Sequence, residues 1–211
     1  GQCGKLLSEP VASLGDVVDQ MAFIHNMTGK TGVHSQATYL QATGFQNPGF
    51  PGMGAWVSYG LGTLNRNLPS FMVLAPKAPY AGAQTWGADF LPGCHQGTHV
   101  IPGPDPLPHV RPASAGPLQE MELGLLARLN QRHQASRAAD QALEARIRSF
   151  ETAFGMQAAA PEAFDLSRES AETLRLYGLQ PGTTSGFGWQ CLVARRLAER
   201  GVRFLELIDV G

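Results

Sequence analysis

The feature that most constrains the fold lies near the carboxyl end of the chain. Ser185 to Arg200 reads as a helix, with Cys191, Leu192, Ala194, Arg195 and Leu197 divided between its two faces and Gly201 as its stop signal. Val202-Arg203-Phe204-Leu205-Glu206-Leu207-Ile208 then alternates as a strand does. A helix, a glycine and a strand in close succession make an αβ junction, so the expected class is α/β with helices packed on a parallel sheet.

Two further strands are expected. Met21-Ala22-Phe23-Ile24-His25 is a short apolar run of the kind found in buried parallel strands. Leu68 to Leu74 is another, entered through Pro69, which suits the first residues of a strand. A short mixed segment, Ser8 to Asp19, predicts a turn or two of helix before the first strand. After it, the Gly- and Thr-rich loop Asn26 to Val33 leads into a helix over His34–Thr43, ended by Gly44. Loops of this kind sit at the carboxyl ends of strands, where open α/β sheets place their sites. Gly54 to Tyr59 predicts a second short helix.

The next stretch, 75–116, is dense in Pro and Gly with Trp86 and Phe90 interleaved, which predicts an ordered functional loop or insertion. Residues 117–178 are mainly helical. Leu118, Met121, Leu125, Leu126 and Leu129, then Leu143, Ile147, Phe150 and Phe154, recur at helical spacing and are expected to face the core. Ser170 to Tyr177, stopped by Gly178, completes the helical part.

The chain of 211 residues suits one domain or part of a larger one, and a 43% hydrophobic content is enough for a real core. A net charge of −1 gives no general attraction to nucleic acid or an anionic membrane. No apolar run reaches the roughly 18 residues that a bilayer span requires. Cys3, Cys94 and Cys191 show no CxxC spacing, so small neutral thiols are expected. The chain starts without an initiator Met or an export signal, and it stops just after a strand whose following loop would carry a site. We therefore expect residues 1–211 to form one incomplete domain, inactive by itself and poorly soluble through exposed sheet edges.

The best candidate for chemistry is the loop and helix start from Asn26 to Ser35. Free N–H groups and the positive dipole end of a helix suit an anionic ester oxygen. Ser35 offers a hydroxyl nucleophile if a metal or base activates it, and His34 offers a metal ligand or proton carrier. Asn26, Thr28 and Thr31 are the neighbouring polar groups expected to bind substrate. The competing reading is that Ser and Thr only cap the helix and His34 bonds backbone. His95-Gln96-Gly97-Thr98-His99 spaces two imidazoles by four, but its glycine favours a loop of hydrogen-bonded histidines over a metal pair. Asp209, at the end of the last strand, is either a metal-binding carboxylate or a turn or cap residue. His133 falls on the polar face of a helix. P-loop, GxGxxG and GxSxG signatures are absent.

Several segments recur together in one family. They are Gln2-Cys3-Gly4, the run His34–Gly44 (HSQATYLQATG), Pro51–Gly62 (PGMGAWVSYGLG), Asn67-Leu68-Pro69, Phe90-Leu91-Pro92 with His95-Gln96-Gly97, and Leu192–Phe204 (LVARRLAERGVRF). By these the chain resembles the sulfatase-like family known as domain-of-unknown-function family 1501, placed in the alkaline phosphatase superfamily. The resemblance implies a partial alkaline-phosphatase-like parallel sheet with a helical insertion, divalent metal ions in the full-length parent, and hydrolysis of sulfate or phosphate esters of small molecules or saccharides. It also implies bacterial origin, an exported or periplasmic location, and further metal ligands on segments that this chain lacks. The nucleophile region departs from true sulfatases. Counting back from Thr43-Gly44, His34 stands where their Cys would be, Gln36 where the Pro would be and Thr38 where the Arg would be, so an oxidised-cysteine mechanism is unsupported. A different class of function, a carbohydrate- or ligand-binding module that keeps the fold without the chemistry, would use Trp86 and Phe90 to line a groove. A structural role for the 117–157 helices is a third reading.

Overall fold

The computed structural model describes residue 4, residues 6–108, 110, 116–137 and 140–210. The chain divides into two compact units, Gly1–Lys30 and Thr31–Gly211. The first carries 3-10 turns over Glu9–Asp16 and Val18–Gln20, entered through Pro10, in the place where short helical turns are expected. The expected strand over Met21–His25 does not form. Met21, Phe23 and Ile24 are 41%, 44% and 70% exposed, so the run lacks both the ladder partner and the covered faces that a parallel strand needs.

The second unit is built on a sheet of three parallel strands in the order β2-β1-β3, where β1 is Phe71–Leu74, β2 is Thr98–Val100 and β3 is Phe204–Leu207. Met72 pairs with Thr98 on one side and Leu205 on the other. β1 is buried along its whole length because side chains alternate between two covered faces. Met72 and Leu74 enter a cluster with Trp189, Leu192, Val193 and Leu197 of α6 (Phe187–Glu199). Phe71, Val73 and Ala75 enter a second with Trp86, joined by Phe204 and Ile208. On that face Gly54 of α2 (Met53–Leu61) lies so close to the Phe71 ring that a Cβ would stand 2.4 Å from it. Burying side chains of this size contributes about 1.5–3 kcal/mol each.

The helices follow the sequence pattern closely. α1 spans His34–Thr43 and ends at Gly44, which takes the left-handed conformation at φ 84°. α3 is Gly116–Ala135, α4 is Gln141–Phe164, and α5 is Ala171–Leu176 with the Ser170 hydroxyl accepting from Thr173 N–H. The apolar stripe of α3 and early α4 does not face the core as expected. Leu118, Met121, Leu125, Leu126, Leu129, Phe150 and Phe154 are all exposed. The two helices lie against each other, and α4 meets the core through its later residues, Ala160 and Ala163 with Met156, Ala159 and Phe164 packed beside them. Among the described residues no helix is long and apolar enough to cross a membrane.

A buried ionic knot fastens α6. Arg196, 8% exposed, donates through Nε to the Ala163 carbonyl at 2.9 Å, through Nη2 to the Glu162 carbonyl at 2.8 Å, and through Nη1 to Glu169. Arg195 reaches the other Glu169 oxygen at 3.0 Å. Burial raises the Glu169 carboxyl, but the Arg196 and Arg195 guanidiniums outweigh it and hold the group below the usual carboxylate range.

Candidate functional site

The start of α1 and the carboxyl end of β3 form the walls of one cavity. Its volume is about 470 Å³, and it is lined by His34 and Thr38 of α1, by Glu206 and Asp209 at the end of β3, and by Pro79 and Thr85 from the segment after β1. This is the carboxyl edge of the parallel sheet. α1 is held there by the Tyr39 hydroxyl, which lies 2.7 Å from Gln84 Oε1 and 3.1 Å from the Ala81 carbonyl. The His34 ring stacks on Tyr80 with 4.7 Å between centroids.

Among the described residues no side chain caps α1, so its first-turn N–H groups keep their capacity for a ligand. Thr31 is occupied instead with its own turn: its hydroxyl donates to Gln36 Oε1 at 3.0 Å and accepts from Val33 N–H at 3.1 Å. Ser35 is half-buried and is not among the residues lining the cavity. Asn26 and Thr28 belong to the first compact unit, where both are exposed. Burial pushes the Glu206 carboxyl above its usual range. No motif singles out Glu206, although a carboxylate in an apolar strand, three residues before Asp209, is a usable signal.

His95 and Gln96 lie elsewhere. With Ser70, just before β1, and Thr98, which opens β2, they line a separate cavity of about 480 Å³ at the amino edge of the sheet. They are therefore not neighbours of His34, because a parallel sheet sends strand starts and strand ends to opposite edges. His95 ends a 3-10 turn over Gly93–His95, and its Nδ1 lies 2.8 Å from the Ser58 hydroxyl. His99 sits on β2 with Nε2 2.8 Å from the Ala75 carbonyl. Each imidazole thus has its own hydrogen-bond partner, but His99 lies on a strand and not in the loop expected of the whole segment. His133 is exposed on α3. Cys94 and Cys191 are free thiols, each raised above its ordinary value first by burial, and Cys3 lies outside the described residues.

His34, Glu206 and Asp209 are donor types that suit a divalent cation. Among the described residues, however, no three His, Cys, Asp or Glu side chains converge as a ligand group. The three line the same cavity without making a metal centre by themselves.

The fold and site together define an α/β protein with a cavity at the carboxyl edge of a small open parallel sheet, between a helix start and strand-end carboxylates. Over residues 1–211 the chain matches the family described as Protein of unknown function (DUF1501), and it belongs to that family. No curated protein and no solved structure matches it.

Proposed function

We propose that the protein is a hydrolase of sulfate or phosphate esters, related to the alkaline phosphatase superfamily, with its reacting centre in the carboxyl-edge cavity. The observation that carries this reading is that His34, at the start of α1, and Asp209 and Glu206, at the end of β3, line one cavity. Uncapped N–H groups and the positive dipole end of α1 favour the ester's anionic oxygens. A hydroxyl or water attacks the phosphorus or sulfur, and His34 takes its proton and passes it to the alkoxide that departs as the ester bond breaks, while Glu206, whose carboxyl burial pushes above its usual range, stands on the same wall. Ser35 is the hydroxyl nearest in sequence to this centre. Divalent ions belong to the proposal through the resemblance, and their remaining ligands would have to come from groups other than the three named here. Exported location is part of the same proposal.

The test is turnover of 4-nitrophenyl sulfate and 4-nitrophenyl phosphate by the purified full-length parent, which supplies the remaining ligands, given in turn Mg²⁺, Ca²⁺, Mn²⁺ and Zn²⁺. Loss of a general acid–base group should slow turnover by roughly 100-fold or more, so His34→Ala is expected to do so. Turnover that survives His34→Ala and Ser35→Ala combined would remove this helix start from the catalytic account. Saturable binding of a saccharide with no turnover of either ester would favour the ligand-binding module instead.

A further inference from the structure

The amino-edge cavity has the makings of a site of its own. Three side chains from three different elements form a chain of polar contacts: Ser70 Oγ bonds Ser58 Oγ, which bonds His95 Nδ1 at 2.8 Å. Ser58, on α2, is 1% exposed, so this link is built into the interior and holds Ser70 and His95 in fixed positions at the cavity wall. Two guanidinium groups, Arg66 and Arg148, line the same space, and among the described residues no Asp or Glu does. Arg148 uses one Nη on Glu144, an exposed neighbour one turn away on α4, and its fork has further N–H groups to offer. Among the described residues Arg66 makes no ion pair.

The wall carrying Arg66 is pinned before any ligand arrives. Asn65 Nδ2 donates to the Arg200 carbonyl at 2.6 Å, Asn67 N–H donates to Asn65 Oδ1 at 2.7 Å, and Arg203 Nε donates to the Gly62 carbonyl at 2.9 Å. Helix α4 closes against this turn at Gly155, where a Cβ would stand 2.7 Å from Asn67 Cα. A polar cavity whose backbone wall is already pinned has only the exposed Arg66 and Arg148 side chains left to order when it takes an anion. Hydroxyls aligned by a buried relay give that anion an orientation as well as a charge.

We propose that this cavity is a second small-molecule site, separate from the carboxyl-edge one, for a ligand bearing an anionic oxygen group, with Arg66 and Arg148 meeting its charge and Ser70 orienting it. Phosphate, sulfate and carboxylate share the chemistry that these groups recognise, and guanidinium forks match all three.

Calorimetric titration of the whole chain with inorganic phosphate, sulfate and citrate tests the proposal. At least one of these probes is expected to bind saturably. Each lost charge-assisted contact typically weakens binding on the order of tenfold, so Arg66→Gln and Arg148→Gln should each do so. Ser70→Ala should weaken binding less, and Lys77→Gln, at an exposed position away from the cavity, should leave it unchanged. Arg66 is exposed, so its variant keeps the fold, and an unchanged thermal melt verifies that. Absence of saturable binding by all three anions overturns the proposal. So does binding that both arginine variants retain but His34→Ala abolishes, since the anion would then sit at the carboxyl edge.

Discussion

Replacing Glu169 by Gln tests how α6 is held. The substitution keeps size and one acceptor oxygen but removes the charge that Arg196 and Arg195 share. Arg195 is 36% exposed along its side chain and retains Glu199 at 3.3 Å, so its loss is small. Arg196 is 9% exposed along its side chain and keeps the two backbone carbonyls, with a neutral amide oxygen in place of the carboxylate. Breaking a buried pair outright costs about 3–5 kcal/mol, and the surviving carbonyl bonds reduce that here to about 2–3 kcal/mol. For a chain of this size, with a urea dependence of about 2–3 kcal/mol per molar, the unfolding midpoint should fall by about 1 M. The effect must depend on pH with a fixed sign. The folded Glu169 carboxyl is depressed, so its contribution is complete above the unfolded value of about 4.3 and is lost as pH falls through the folded one. Wild type and variant should therefore differ fully at pH 7 and converge in acid. A midpoint shift under about 0.2 M at pH 7, or a gap that stays constant down to pH 3, would refute the reasoning.

Other outcomes follow from the same structure. Gly54→Ala drives a methyl into the Phe71 ring and should cost about 1–3 kcal/mol or more, read from thermal melts, whereas Gly60→Ala, with open space around it on the same helix, should not. Burial first, and then Arg148, lower the His95 imidazole, so its titration by NMR should have a midpoint below the ordinary value of about 6.5. By linkage His95 then opposes folding as pH drops below that unfolded value, because the unfolded chain takes up the proton first. Leu125→Lys and Met121→Lys on the exposed stripe of α3 should change stability by less than about 0.5 kcal/mol while lowering light scattering of concentrated protein.

Much of the helical framework is legible in the sequence because its signals are local. α6 announces itself by its period, both α1 and α6 by the glycines that follow them, and Ser170 marks the start of α5 as its cap. β2 is not legible: it is three residues inside a Pro/Gly-rich stretch, and it exists because Met72, Val73 and Leu74 offer it a ladder. Met21–His25 misleads for the converse reason, since a short apolar run carries no information about whether a partner strand is beside it. The α3 stripe has the right period, but periodicity defines a face without saying what covers it. At the site, His34 and Asp209 could be paired because one starts a helix and the other follows a strand. The Ser70–Ser58–His95 chain could not, because it joins a pre-strand turn, a helix and a 3-10 turn that only the folded chain brings together.

The central position of β1 has one further consequence. Since β1 alone has both flanks occupied, β2 and β3 are the outermost rungs among the described residues, and each turns one side of its backbone away from the ladder. A strand added at either margin would meet those outward backbone groups. Such an addition beside β3 would lay new residues along the same rim as Glu206 and Asp209, widening the catalytic candidate while leaving its foundations as they are.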